Sequence, residues 1–364
     1  MLNNISFREA RSSAYKCVPA VRQEYEKDKP ILSIILTCYY GLDLIRQALQ
    51  SVLEQDYKNI ELILVDNGAH SDVRDFLFDF HSKAINCVLI SFETNQFEWN
   101  DVCKEVAVCW NVALLHAVGD YVCHLAYDDL ISPCYASKMV LLFVENPDCV
   151  TAAPMPYSIS LLGEVDDSPR LRDRNTRGRY TDGVELAFDF IEGNPRKLFA
   201  APGEIFVIRR DVLLRYGGYD RMVDVSQVLK YAILGVSGFD PDAALYWRHH
   251  DGQLNKLAKN KGVIFYSANE TAWVNSGIEG LWLQRFDTDK MKLLLGFKKT
   301  LLATSPITVV SENTREGNAR GVVVALLNIG LECPVLLPRG IYSVARELFS
   351  MMFGNTYRRL RYRR

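Results

Sequence analysis

The stretch LSIILTCYYGLDLIRQALQSVLEQDYKNIELILVDNGAHSD, residues 32–72, decides the fold. Leu32–Cys38 is a short aliphatic, β-branched run, the pattern of a strand covered on both faces. Over 43–55, Leu44, Ile45, Ala48, Leu49, Val52 and Leu53 recur at helical spacing, with Asp43 expected as the N-cap. Residues 60–65 (IELILV) form the next strand, ended by the turn signal Asp66-Asn67-Gly68. Strand, helix and strand in close succession make the crossover unit of a parallel sheet.

The alternation continues outward from this unit. The pattern predicts a helix over 72–83, a strand over 85–92, a longer helix over 101–118 stopping at Gly119, a strand over 121–125 and a helix over 133–145. Such a series implies an α/β fold with a doubly wound, mainly parallel sheet flanked by helices. Ligands bind these sheets outside the carboxyl ends of the strands. Asp66 and the Asp128-Asp129 pair both fall at that edge, on different strands, so topology alone brings distant acids to one rim. Further along, a helix is expected over 184–192, a strand over 204–208, a short helix from Arg209-Arg210-Asp211 to Gly217-Gly218, and a helix over 224–234. Residues 163–181 are polar and arginine-rich, a surface loop and candidate lid carrying Arg170, Arg172, Arg174, Arg177 and Arg179. Residues 1–29 read as a polar leader, and 256–364 as a mixed, helical C-terminal extension.

The 364 residues are 49% hydrophobic and 24% charged, with a formal net charge of -2. That composition supports a real core and lacks the basic excess of a nucleic-acid binder. Nine cysteines show neither CxxC pairs nor zinc spacing with histidine. Their odd number and apolar settings point to free thiols and a reducing, cytoplasmic compartment. Residues 1–13 hold no apolar core of signal-peptide type, and no run of about 20 uninterrupted apolar residues exists for a spanning helix. From Arg339 onward seven arginines face one glutamate, behind Ile341, Val344, Leu348, Met351, Met352 and Phe353. This tail suits peripheral contact with an anionic membrane surface on the cytoplasmic side, and equally a helix docked on the protein.

Adjacent carboxylates such as Asp128-Asp129 repel each other unless a cation or ordered donors lie close. A hard divalent ion would take them as oxygen ligands together with substrate phosphates. A bland reading also stands: Asp66 as a turn aspartate and the pair as solvated caps before Pro133.

Residues 32–72 resemble the opening of family 2 glycosyltransferases of the GT-A fold. Ser51, Gln55 and Tyr57 match that family's Ser-x-x-x-Gln-x-Tyr tail, and Val65-Asp66-Asn67-Gly68 its Val-Asp-Asp-Gly element. In 111–133, Asn111, Gly119, Tyr121, Asp128, Asp129 and Pro133 fall in register with a second signature. The resemblance covers about 30–255, with 30–160 as the nucleotide-sugar half and 161–255 as the acceptor half. It implies an inverting transferase using a nucleoside-diphosphate donor, commonly a UDP-sugar, in polysaccharide or glycoconjugate synthesis. Thr37, Tyr39, Asp66, Asn111 and Asp128 would bind the donor, with Asp66 at the base and Asp128 at the ribose or sugar. Asp129, with His250, would hold Mg²⁺ or Mn²⁺. In GGYDRMVDVSQVLKYAILG (217–235), Asp224 matches the acid that takes the acceptor's proton, with Asp220 as the other candidate and Lys230 at the usual arginine position. The acceptor would be a saccharide or a lipid-linked sugar. Thr37-Cys38, Tyr40, Trp110 and Ala126 depart from the family pattern. A catalytically inactive nucleotide-sugar-binding relative is the competing expectation; a dinucleotide oxidoreductase lacks its Gly-rich turn here.

Overall fold

The computed structural model describes residues 5–99, 101, 103–165, 178–193, 207–253, 256–257, 261–262 and 266–348. Four strands read from the sequence build the first half of a ten-stranded sheet: β2 (Leu32–Cys38), β3 (Ile60–Asn67), β4 (Cys87–Phe92) and β5 (Tyr121–Leu125). They run parallel in the order β4-β3-β2-β5. Leu32, Ile34, Leu36 and Cys38 of β2 point into one core layer with Leu62, Leu64, Leu89, Cys123 and Leu125 of its neighbours. Helices α2 (Leu42–Leu53), α3 (Ser71–Lys83) and α5 (Tyr135–Glu145) cover that face through Ile45, Leu49, Val73, Leu77, Met139 and Phe143. Ile35, Ile63 and Ile90, which alternate with these, are buried too. Both faces are therefore covered, as the uninterrupted apolar runs require.

Several boundaries differ from the sequence reading. Gly41, left-handed at φ 82°, caps α2, and Asp43 lies inside the first turn. The expected 101–118 helix is shorter: a π-helical turn at Val106–Trp110 runs into α4 (Asn111–His116). The leader is not merely a covering segment. After α1 (Ile5–Ser12), β1 (Tyr15–Val18) joins the sheet antiparallel to β4.

The second half of the sheet is mixed. β7 (Cys149–Ile159) and β10 (Val236–Arg248) pair in parallel, and β9 (Val207–Arg209) lies antiparallel between β5 and β7. Short β6 (Leu130–Ile131) and β8 (Tyr180–Asp182) add antiparallel to β10. β8 leads into α6 (Gly183–Glu192), capped by the Asp182 side chain, and β9 into α7 (Arg210–Tyr216). The expected 224–234 helix resolves into α8 (Val223–Ser226), a π turn at Gln227–Tyr231 and a 3-10 turn at Ala232–Leu234. Of the 204–208 strand, residues 204–206 lie outside the described residues, as do 166–177 of the arginine-rich loop and 349–364 of the basic tail.

The chain divides into two compact units, one of residues 1–98, 102–249 and 275–281, the other of 99–101, 250–274 and 282–364. The second is helical. Its Thr288–Arg315 helix packs on the Ala319–Glu332 helix through Val310, Ala325 and Ile329. By length and composition alone the first of these helices could cross a membrane, although Lys298 and Lys299 sit midway along it.

Candidate active site

The motif residues Ser51 and Gln55 are braces, and they explain why the acidic turn sits where it does. The Gln55 amide, fully buried, donates to the carbonyls of Ser51 and Ser132 (both 2.8 Å) and accepts from the Ala136 N–H (2.8 Å). Ser51 Oγ accepts from the Ile131 N–H (3.4 Å). The end of α2 thus grips the segment immediately after Asp128-Asp129. Tyr57 donates its hydroxyl to the Pro30 carbonyl, fixing the entry to β2.

Asp66, next to last in β3, lies opposite Cys38 and Ser91 and is fully buried. Its Oδ1 accepts from the Ala69 N–H (2.7 Å), and its Oδ2 from Ser91 Oγ (2.6 Å) and Arg74 Nε (3.1 Å). The carboxylate pins the turn into α3. Gly68 is needed in that turn: at φ +61° a Cβ would come within 2.4 Å of the Asn95 nitrogen. Asn67 reaches across to the same loop, accepting from the Gln96 N–H (2.8 Å) and donating to Asn95 Oδ1 (3.0 Å).

Asp128 and Asp129 are both buried, in a turn closed by the Asp129 N–H on the Ala126 carbonyl (3.2 Å). Arg248, at the end of β10, supports this turn from beneath. Its backbone N–H donates to Asp129 Oδ1 (2.9 Å) and its Nε to the Asp128 carbonyl (2.7 Å). The rest of the fully buried guanidinium donates to the Leu161 carbonyl (2.6 Å) and to Gln47 Oε1 (2.9 Å). Arg248 therefore holds the acidic turn rather than reaching for a phosphate. Burial, and secondly the Asp128 charge, push the Asp129 carboxyl well above its usual range, against the opposing pull of Arg248.

An aromatic rim stands at the same edge. The Tyr40 and Tyr127 rings lie 5.3 Å apart, and Tyr39 contacts both Tyr40 (5.8 Å) and His70 (5.1 Å). Such faces suit a nucleobase, which stacks on aromatic rings whatever its sequence identity. Thr37 Oγ1, buried at the end of β2, has no hydrogen-bond partner among the described residues.

Other expected site residues have structural employment. Asn111 is fully buried; its amide donates to the Ala107 and Tyr219 carbonyls (both 2.6 Å) and accepts from the Tyr219 N–H (2.8 Å). It is a strap between α4 and the segment before α8. Trp110 stacks on His124 at 3.5 Å with the Tyr219 ring edge-on at 5.3 Å. Burial drives His124 down to about 3, so that imidazole is neutral. A cation at position 110 would meet this dry aromatic cluster, which accounts for the tryptophan. Asp220 forms a buried ion pair with Lys230 (3.0 Å) and accepts from Ser226 Oγ (2.8 Å) and the Met222 N–H (2.9 Å). Both of its carboxylate oxygens are engaged by these partners. Asp224, on α8, is exposed. His250 opens the second unit, its backbone N–H donating to Gln253 Oε1 (3.4 Å).

Glu105, half-buried, escaped the sequence reading, because nothing in its local pattern sets it apart from a surface glutamate. It immediately precedes the Val106–Trp110 turn and hydrogen-bonds the Asn67 side chain. Burial raises it to about 7, from an ordinary value of 4.5. Between those values the folded chain keeps a proton that the unfolded chain has lost, so stability falls as pH rises through this window and levels off above it. Glu105→Gln should remove that loss. Its stability relative to wild type should increase by about 2 kcal/mol between pH ~5 and pH ~8, after allowance for partial exposure. Paired thermal melts across pH measure this; a difference that stays flat with pH would refute the assignment.

Among the described residues, no group of three His, Cys, Asp or Glu side chains converges on a metal position. Asp128 and Asp129 nonetheless fit a hard divalent ion that takes one or two carboxylates and completes its shell with substrate phosphates. The raised affinity of Asp129 for a proton is the mark of a buried anion short of positive charge.

Known proteins resemble this chain in sequence and in fold. A Haemophilus influenzae protein described as an uncharacterized glycosyltransferase is 31% identical over 117 residues, 32% of this chain and 44% of that protein. The Escherichia coli UDP-Glc:alpha-D-GlcNAc-diphosphoundecaprenol beta-1,3-glucosyltransferase WfaP is 33% identical over 99 residues, 27% of this chain and 36% of that one. The matched segments thus span less than half the length of these relatives. Among solved structures, S. aureus TarS 1–349 in complex with UDP-GlcNAc superposes with a TM-score of 0.55 at 14% identity, covering 89% of this chain and 92% of that chain. That likeness establishes the GT-A type of fold. The model of the family described as glycosyl transferase family 2 matches residues 33–212, and the chain belongs to that family.

Proposed function

We propose that the protein is an inverting glycosyltransferase that moves a sugar from a UDP-sugar to a saccharide or lipid-linked acceptor in polysaccharide or glycoconjugate synthesis. The observation carrying this reading is the buried Asp128-Asp129 turn, braced by Gln55 and Arg248 beside an aromatic rim at the carboxyl edge of the sheet. UDP as the nucleotide is supported by the UDP-GlcNAc bound to TarS and the UDP-glucose in the name of WfaP. A lipid-linked acceptor is supported by the diphosphoundecaprenol in that same name. Nine free thiols favour a cytoplasmic setting.

In this reading Tyr39, Tyr40 and Tyr127 flank the base, and Asp66 fixes the turn beneath it, with Thr37 Oγ1 the uncommitted hydroxyl nearby. Asp128 orients the ribose or sugar. Mg²⁺ or Mn²⁺, held by Asp129 and Asp128, would neutralise the diphosphate as it leaves. Asp224 takes the proton from the acceptor hydroxyl as that oxygen attacks the anomeric carbon, with the nucleoside diphosphate departing on the opposite side. Asp220 is unsuited to that role, since Lys230 occupies it.

Thermal melts with UDP, GDP, dTDP and their sugars, with and without Mn²⁺, test the donor assignment. Saturating UDP-sugar with Mn²⁺ should raise the melting temperature by about 5 °C. For Asp224→Asn, the shift should survive and UDP release in the presence of acceptor should fail. No stabilisation by any nucleotide would sink the donor assignment, and full UDP release by Asp224→Asn would move the base elsewhere. Stabilisation by UDP-sugars without release from any donor and acceptor pair would favour a binding protein.

A further inference from the structure

Two polar groups at the carboxyl edge of the sheet have no part in the transfer steps: the Glu105 carboxyl and the Thr37 hydroxyl. Alternation along the strands puts both on one face. Leu32, Ile34, Leu36 and Cys38 of β2 and Leu62 and Leu64 of β3 fill the layer under α2 and α3, so Thr37 and Asn67 point to the opposite side. The Val106–Trp110 turn packs on that side too, since Trp110 stacks on His124, which alternates with Cys123 and Leu125 of the first layer. Glu105 immediately precedes this turn, is half-buried, and hydrogen-bonds the Asn67 side chain. Its charge acts on the Cys38 thiol and on the Tyr127 hydroxyl, which places it near both the end of β2 and the aromatic rim.

Asp66 is poorly placed to meet a ligand. It is 0% exposed and faces the other layer, where Ala69, Ser91 and Arg74 engage both of its oxygens. Glu105 keeps part of its surface and has a firm support. Asn67 is itself fixed, accepting from the Gln96 N–H (2.8 Å) and donating to Asn95 Oδ1 (3.0 Å). An amide at this position can donate to Glu105 as well, where an aspartate would repel it. A carboxyl beside aromatic faces suits a planar ring that stacks and presents an N–H at its edge. Uracil does so, with its N3–H between two carbonyls. A carboxylate accepts that N–H, and a protonated carboxyl accepts it while donating to one of the carbonyls. Burial holds Glu105 at about 7, so both forms exist at neutral pH. Thr37 Oγ1, without a hydrogen-bond partner among the described residues, is a spare donor on the same face.

We propose that Glu105 selects the base of the donor, accepting the N3–H of a uracil ring seated against Tyr39, Tyr40 and Tyr127. This rests on the UDP-sugar reading, and it gives Glu105 the base contact that the family resemblance expects of Asp66.

Calorimetric titration of the full chain with UDP and with N3-methyl-UDP, in the presence of Mn²⁺, tests it. Wild type should bind UDP about tenfold more tightly or better, the order expected for one hydrogen bond to a charged or buried partner. Glu105→Met keeps the bulk and loses the oxygens; it should narrow that preference to about threefold or less, mainly by weakening UDP. Glu105→Ala makes the same prediction should the methionine variant fail to fold. Glu105→Gln keeps an oxygen for the N–H and should retain the preference, a contrast that a purely structural role would not produce. Asp66→Asn should retain it too. A methionine or alanine variant with the wild-type preference, or a wild type that binds UDP and N3-methyl-UDP equally, overturns the proposal while UDP binding leaves the donor reading standing. Loss of the preference in Asp66→Asn together with its retention in Glu105→Met returns the base contact to Asp66. A wild type that does not bind UDP overturns the donor reading and this proposal with it.

Discussion

Asp129→Asn is expected to cut sugar transfer by about 10³-fold or more while leaving the protein at least as stable as wild type near neutral pH. The activity loss follows from the proposed role: several kcal/mol of charge neutralisation at the diphosphate would go with the carboxylate, and each ~1.4 kcal/mol is a factor of ten in rate. The stability gain follows from burial. In the folded chain the carboxyl of Asp129 sits well above its ordinary range, because burial and then Asp128 oppose its charge. A raised carboxyl favours folding least at high pH: the folded state holds its proton longer than the unfolded state, and stability declines as pH rises through the window between the two values. Asparagine carries no such penalty and still accepts the Arg248 N–H through its amide oxygen. UDP-release rates together with melts across pH measure both effects. Transfer within tenfold of wild type would remove Asp129 from the site. A variant less stable than wild type at neutral pH would show that the carboxylate is already neutralised by the protein alone.

Arg248→Met is expected to be the most damaging single substitution in the site, costing about 3–5 kcal/mol of folding stability. The guanidinium is fully buried, and its loss strands three acceptors: the Asp128 carbonyl, the Leu161 carbonyl and Gln47 Oε1. The buried Asp128 carbonyl left without this donor costs about 1–3 kcal/mol, the Leu161 carbonyl and Gln47 Oε1, on exposed residues, cost less because water reaches them, and buried Asp129 loses a neighbouring positive charge as well. Arg248→Lys keeps the charge but not the planar fork and should recover only part of the loss. Denaturant midpoints measure the stability change. The Asp129 carboxyl should move still higher in the Met variant, shifting the pH profile of UDP release upward. A cost below about 1 kcal/mol would mean that the three acceptors find other donors.

The parallel half of the sheet was legible because β2 and β3 are uninterrupted apolar runs flanked by turn signals. β7 and β10 were not. Pro154 and Pro156 interrupt the first and Pro241 the second, and proline inside a run argues against a strand. The structure accommodates Pro241 at the register shift between Asp240 and Ala244, where the ladder is already broken. β1 was hidden for another reason: four residues in a polar leader show no periodicity of their own, and only pairing with β4 makes them a strand. At the site, the positions of Asp66, Asp128 and Asp129 could be read from strand ends. What each side chain touches could not. The partners of Arg248 lie on segments that pairing of β10 with β6 and β7 brings near, so no local pattern announces them. Glu105 gave no signal at all, since a glutamate before a helical turn is ordinarily solvated.

The brace beneath the acidic turn also sets an order of assembly. Arg248 lies 119 residues beyond Asp129 in the chain. A growing polypeptide completes β2 to β5 and exposes the Asp128-Asp129 turn well before β10 exists to hold it. Contacts between such distant segments form late, because a long loop must close before they return any stability. The acidic turn is therefore finished only when the last long strand is in place. A chain interrupted before residue 248 would carry the motif without the means to fix it, and competence for the donor becomes a sign that the first unit has been synthesised through to its final strand.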